Sequence, residues 1–313
     1  MKRIIVGSRG SNLAMKQALI AVQKLKETVP ERPFAIKEIS TKGDKIQDKP
    51  LGEIGGSGLF TKEIEYRLAQ GNIDIAVHSL KDLPTSLDSR LKIGAVLPRA
   101  NPSDVLINDD GMLLSQLPPQ AVIGTGSARR TAQLLNCRPD LEVLPIRGNI
   151  DTRLQKLEKG RYDSLVLAAA GLQRMGWQSR ISQYLPLDTF IPAAGQGVIA
   201  LQIRAGDSEI KNIVSRVNDN DTEAAVTAER TIFECLNAGC KEPIGAFATW
   251  KKNELHLKGM VAGIEGDKLI TTCLSAMVDQ TQDALIEAEQ IGRKAAEQLL
   301  NKGAHKLLQE LRR

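Results

Sequence analysis

The chain has 313 residues, with 42 basic against 37 acidic side chains, a formal net charge of +5, 42% hydrophobic content and 3% aromatic content. That length suits two or three domains, each with its own core. The charge excess is too mild to call for a polyanionic partner and the aromatics are too few to stack single-stranded bases, so the composition argues against a nucleic-acid binder.

The opening "MKRIIVGSRG" is basic, but its apolar stretch is too short for a signal peptide, and the longest apolar run, "SLVLAAAGL", falls well short of a membrane span. Both facts favour a soluble, cytoplasmic chain with no membrane partner. "RIIVG" predicts a strand, and "SNLAMKQALIAVQKLKETVP" predicts a helix capped by Ser11, with Met15, Ala18, Val22, Leu25 and Val29 on one face and Pro30 at its end. Strand "FAIKEI", helix "LFTKEIEYRLAQG" closed by Gly71, and strand "IDIAVHS" follow. This βαβα order implies a largely parallel sheet covered by helices.

A second series begins after "PRANPSD": strands "VLIN" and "AVIG", a helix after Ser127, strand "LEVLPI", helix "NIDTRLQKLEKG" and strand "SLVLAAAG". "IPAAGQG" at 191–197 reads as a crossing, after which "VIALQI" rejoins the first sheet. The expected fold class is therefore α/β, with two α/β domains like those of periplasmic binding proteins joined by a two-strand hinge. Their expected bounds are 1–98 with 198–216 for the first, and 99–197 for the second. Residues 217–313 change character, with helix "TEAAVTAERTIFECLN", strands "IGAFATW", "ELHLKGMV" and "KLITTCLSAM", and a long final helix from about 281, which predicts a small α+β domain.

Charge placement points to a ligand. Arg129 and Arg130 stand at the second and third positions of the helix that Ser127 is expected to cap, where the helix dipole disfavours each cation by roughly 0.3–1 kcal/mol. Arg9 lies between the first strand and the Ser11-capped helix, Arg147 lies before the helix containing Arg153, and Arg174 follows "LAAAGL". Such strand-to-helix junctions gather at the carboxyl edge of a parallel sheet, where ligands bind. One arginine there is ordinarily a solvated surface residue. Five or six converging on one crevice repel one another unless carboxylates or phosphates lie between them, so a polyanionic small molecule is expected.

"HSLKDLPT" adds Lys81 and Asp82, readable either as an ordinary ion pair or as a carboxylate that steadies a developing cation and handles a proton. Cys240, in "NAGCKEPIGA", has little steric cover and a neighbouring lysine, which favours a nucleophilic thiolate, although an inert thiol fits the same residues. Cys137, Cys235 and Cys273 are expected to pack in structural elements, and His78 to be a satisfied hydrogen-bonding residue. With no CxxC pair and three histidines, no metal is expected.

The motifs "GSRGSNLAMKQ", "GGSGLFTKEIE", "DIAVHSLKDLPT", "IGTGSARRTAQLL", "RGNIDTRLQKL", "LAAAGLQRMG", "IPAAGQG" and "AERTIFECLNAGCKEPIGA" together resemble the porphobilinogen deaminase (hydroxymethylbilane synthase) family, in order and over nearly the whole chain. The resemblance implies a three-domain transferase of tetrapyrrole (haem) biosynthesis that joins four porphobilinogen molecules head to tail into hydroxymethylbilane, with release of ammonia. It implies a dipyrromethane cofactor held by a thioether at Cys240 and a catalytic Asp82. Cofactor contacts fall on Lys81, Asp82, Thr125, Ser127, Arg129 and Arg130. Substrate contacts fall on Arg9, Ser11, Phe60, Arg147, Arg153 and Arg174.

In the implied chemistry, loss of the aminomethyl nitrogen as ammonia leaves an electron-poor azafulvenium, which the free α-carbon of the terminal ring attacks. Positive charge spreads onto pyrrole nitrogen, where a fixed carboxylate stabilises it. Glu53 and Ser57 stand where many members of the family carry lysines, which predicts a more mobile, less ligand-bound loop over 43–58. Nothing calls for more than a monomer. The same two-crossing architecture would also suit a non-catalytic anion-binding module, a reading that leaves Cys240 and the third domain without a purpose.

Overall fold

The computed structural model describes residues 3–41, 61–239, 242–278 and 284–311. The first series is β1 (Ile4–Arg9), α1 (Asn12–Thr28), β2 (Phe34–Ile39), α2 (Lys62–Ala69), β3 (Ile75–Ser79) and β4 (Leu91–Val96), the last a strand that the sequence reading passes over. The Ser11 hydroxyl accepts from the Ala14 N–H at 3.4 Å, capping α1 as expected, and Ala18, Ala21, Val22 and Leu25 make its buried stripe.

The second series is β5 (Asp104–Ile107), β6 (Val122–Gly124), α3 (Ala128–Cys137), β7 (Glu142–Leu144), α4 (Ile150–Glu158), β8 (Ser164–Ala168), α5 (Ala169–Met175) and β9 (Gln183–Tyr184). The strand expected over "SLVLAAAG" stops at Ala168, and the remainder turns into α5. Alanine favours the helix, and Gly176, in the left-handed region at φ +78°, ends it. Ser127 occupies the N-cap position of α3, but its side chain makes no capping bond. Instead the Ser127 N–H donates to the Thr125 hydroxyl at 3.3 Å, a local turn that takes the place of the expected cap.

The chain then crosses back as β10 (Ile199–Arg204), which rejoins the first sheet as anticipated. The strand orders are β2-β1-β3-β10-β4 and β7-β6-β8-β5-β9. The sheets are less parallel than expected. β1 runs parallel to β2 and β3, but β10 is antiparallel to both its neighbours; β6 runs parallel to β7 and β8, but β5 is antiparallel to both of its own. In each sheet the one reversed strand is the one that arrives over a crossing. It enters where its neighbours end, so Ile199 pairs with Ser79 and Asp104 pairs with Ala168. Both crossings therefore meet the carboxyl edges of the two sheets.

After α6 (Ser208–Val214), which packs on the first sheet through Ile210, Ile213 and Val214, comes α7 (Asn220–Cys235), capped by the Asp219 carboxylate. β11 (Ile244–Lys251), β12 (Glu254–Ala262) and β13 (Leu269–Met277) form an antiparallel meander. It is covered by α7 and by α8 (Ala284–Asn301), with Ile232, Leu255, Leu257, Ile291 and Leu299 in a shared core. Where one final helix is expected there are two, because Gly303 at φ +98° breaks it before α9 (Ala304–Leu311). The elements that carry the three remaining cysteines pack as expected, but two of the thiols themselves face outward. Cys137, at the last position of α3, and Cys273, on the outward face of β13, are exposed, and Cys235 is half-buried. Among the described residues no helix is long and apolar enough to cross a membrane, and no three His, Cys, Asp or Glu side chains are placed to hold a metal ion.

Candidate active site

A cleft of about 290 Å³ opens between the carboxyl edges of the two sheets. Arg9 and Ser11 reach it from the β1–α1 junction, Lys81 and Asp82 from the short helical turn after β3, and Arg130 from the first turn of α3. Arg147 and Arg153 come from the loop and first turn of α4, and Arg174 from α5. Eight of the residues anticipated from sequence thus line one cavity. The cleft gathers six cations, Arg9, Lys81, Arg130, Arg147, Arg153 and Arg174, against the carboxylates Asp82 and Asp151. Thr125, Ser127 and Arg129 lie outside its lining, and Phe60, Cys240, Glu53 and Ser57 lie outside the described residues.

The anion called for by the arginine pair is supplied from within. Asp104, the fully buried first residue of β5, accepts from Arg129 Nη1 at 2.7 Å on one carboxylate oxygen. On the other it accepts from Arg130 Nε at 3.0 Å and Nη2 at 2.7 Å. Burial opposes the charge on Asp104, yet the two guanidiniums overcome it and hold the carboxyl far below its ordinary range. Burial also lowers Arg129, against the pull of Asp104. The pair is further tied to the backbone, Arg129 Nη1 to the Ile191 carbonyl at 2.7 Å and Arg130 Nη1 to the Val166 carbonyl at 3.1 Å. Asp104 escapes sequence reading because it looks like a polar residue ending a loop. The available signal was a carboxylate directly before the apolar run "VLIN", where β5 becomes buried on both faces.

The remaining cations are held more loosely. Arg153 Nε donates to the Gly148 carbonyl at 2.8 Å and Arg174 Nη2 to the Gly197 carbonyl at 2.6 Å. Burial, together with Arg130 and Arg147, pushes Arg153 down to about 10 against the pull of Asp82; burial alone brings Arg174 to about 10. Lys81 Nζ donates to Gln196 Oε1 at 3.2 Å and is lowered to about 8, first by burial and then by Arg130, while Asp82 and Asp104 oppose the shift.

Asp82 is exposed to the cleft, on a turn anchored by fully buried Leu80. Gly195, at φ +72°, leaves room for that anchor, since a Cβ there would come within 2.7 Å of Leu80. His78 is buried and bonded to Gln202 at 3.2 Å, and burial lowers it to about 4, so it is the satisfied neutral histidine that was expected.

Such a cavity suits a ligand bearing several carboxylates, because guanidinium forks grip carboxylates bidentately. The family model described as "Porphobilinogen deaminase, dipyromethane cofactor binding domain" matches residues 4–212, and the one described as "Porphobilinogen deaminase, C-terminal domain" matches residues 224–301. Porphobilinogen deaminase of Geobacillus kaustophilus is 45% identical over 100% of this chain and 99% of its own. That of Desulfitobacterium hafniense is 44% identical over 100% of this chain and 98% of its own. Among solved structures, the VFT2 domain of Bordetella pertussis BvgS aligns with 69% of this chain and 85% of its own at 16% identity and a TM-score of 0.41. The chain belongs to the porphobilinogen deaminase family, the hydroxymethylbilane synthases that polymerise porphobilinogen in tetrapyrrole biosynthesis on a dipyrromethane cofactor attached to a cysteine.

Proposed function

We propose that the cleft is where this chain condenses four porphobilinogen molecules head to tail, with Asp82 as its catalytic carboxylate and Cys240 as the attachment point of the dipyrromethane. The observation that supports this reading is the meeting of six cations and Asp82 in one cavity. Each pyrrole ring brings an acetate and a propionate, so a growing chain adds two carboxylates per ring. The donor set fits such a group: the described cations are guanidiniums and one ammonium, with no competing metal-type cluster among the described residues.

Lys81 and Arg130, on the inner side, would hold the cofactor's carboxylates, with Thr125, Ser127 and Arg129 supporting that wall. Arg9, Ser11, Arg147, Arg153 and Arg174 would orient the incoming substrate, and Phe60 would contribute an aromatic contact to it. When bound, the dipyrromethane supplies the free α-carbon that forms the new bond. Asp82 stabilises the positive charge that spreads onto pyrrole nitrogen as ammonia leaves, and it accepts and returns a proton at its carboxylate. Cys240 would hold the group through a thioether, as the residue whose thiolate can supply the sulfur.

In this reading the domains are 1–98 with 198–216, 99–197 and 217–313, and the protein works as a cytoplasmic monomer without nucleic-acid or membrane partners. Intact-mass measurement of the purified chain tests the attachment. The expected result is a covalent adduct that disappears in Cys240→Ser; an unmodified wild-type chain with no porphobilinogen turnover would favour a plain anion binder instead.

A further inference from the structure

Gln196 lies on the return crossing, fully buried, and its amide orientation is dictated by its neighbours. Nε2 donates to the Pro102 carbonyl at 2.7 Å and to Asp104 Oδ1 at 2.8 Å, both groups that can only accept. Oε1 receives Lys81 Nζ at 3.2 Å and Arg130 Nη2 at 3.5 Å, both groups that can only donate. Flipping the amide would oppose donor to donor on one side and acceptor to acceptor on the other. The amide therefore transmits the position of the Asp104 carboxylate to the ammonium of Lys81. Asp104 itself accepts four bonds, two from Arg130, one from Arg129 and one from Gln196.

We propose that Asp104 is a positioning residue for the condensation site, holding Arg130 directly and Lys81 through the Gln196 amide. The proposal rests on the reading of the cleft as the active site and adds to it a residue that touches neither substrate nor cofactor. Three elements converge on this arrangement: α3 brings Arg129 and Arg130, β5 brings Asp104, and the return crossing brings Gln196. The charges that bear on Lys81 are Asp82 on its own turn, Arg129 and Arg130 from α3, and Asp104 from β5. Of these, the two carboxylates favour the ammonium and the two guanidiniums oppose it. Asp104 is thus a buried counter-charge that, after Asp82, favours the protonated lysine beside two arginines.

The test reads the lysine itself. Acetylation of Lys81, quantified by peptide mass spectrometry from about pH 6 to about pH 10 on the full chain as purified, gives the midpoint at which its amine becomes reactive. Loss of the Asp104 charge in D104N is expected to lower that midpoint by about 1, roughly a fivefold gain in reactive amine at pH 7. Q196M, which cuts the amide link and leaves both arginine pairs in place, is expected to lower it by a smaller step. Exposed Lys159 should not move in either variant.

D104N breaks a buried ion pair and is the variant at risk of not folding, in which case Q196M decides alone. An unmoved Lys81 in the folded variants would make Asp104 a purely structural ion and overturn the proposal. The titration is read whether or not the chain turns over porphobilinogen, so loss of the functional reading and loss of this one are separate outcomes.

Discussion

The inner and outer arginines at and around the cleft are the same kind of side chain, and they are neutralised in opposite ways. Arg129 and Arg130 are buried and matched by Asp104 within the protein, whereas Arg153 and Arg174 are matched by single backbone carbonyls. A guanidinium that has an internal carboxylate is fixed in place before any ligand arrives. One that has only a carbonyl keeps donors and net charge for a ligand. The difference teaches that a basic junction read from sequence marks a site without saying which of its cations are scaffold and which are grip.

The largest expected effect falls on a carboxylate of the cleft lining. Asp82→Ala should keep its thermal unfolding transition and lose about 10²–10⁴-fold in porphobilinogen turnover, the usual contribution of a positioned acid–base group. Near-normal turnover would remove Asp82 from the mechanism. Next, Asp104→Ala should cost about 3–5 kcal/mol in urea unfolding, because it strands two buried guanidiniums. Arg153→Gln, on the outer side, should cost less in urea unfolding than Asp104→Ala, because it strands no buried charge, and appear as a raised KM. Equal stability losses in those two variants would erase the contrast between inner and outer cations.

The pH dependence sharpens it further. His78 is held neutral, at about 4 in the fold against an ordinary value of about 6.5, so the unfolded chain binds the extra proton first. Stability is therefore whole above the ordinary value and drains away as pH falls towards the folded one, by about 3 kcal/mol in all. His78→Gln should flatten that stretch of a urea-midpoint titration. Asp104 acts lower on the scale: its folded value is depressed, so its contribution is present above the ordinary carboxylate range and is lost only at much stronger acid. The smallest effect is expected at Cys273→Ser, within about 0.5 kcal/mol, because the thiol is exposed and touches neither group.

Much of this was legible in the sequence, for stated reasons. Apolar periodicity and caps located β1, α1, β2 and β3, and "VIALQI" after the glycine-rich crossing gave β10 its place in the first sheet. Strand sense was not legible, because an apolar run reads the same in either direction and only the crossing reverses it. The end of β8 was missed because "LAAAGL" satisfies both a strand and a helix, and the decision comes from Gly176 downstream. The arginines and Asp82 were legible as a basic site. Asp104 and Gln196 were not, since what makes them matter is the approach of residues tens of positions away, at Arg130 and at Lys81.

At the crossings the two connecting segments lie against each other. Ala100 N–H donates to the Gly197 carbonyl at 3.1 Å, and a Cβ on Gly197, at φ +87°, would stand 2.5 Å from the Ala100 oxygen. At this waist the two connecting segments are therefore stitched to each other and are not two independent tethers. One added methyl group there would act as a wedge between the strands of that waist. Because Arg174 bonds to the same Gly197 oxygen, a disturbance of the joint would reach the cationic lining of the cleft within one hydrogen bond.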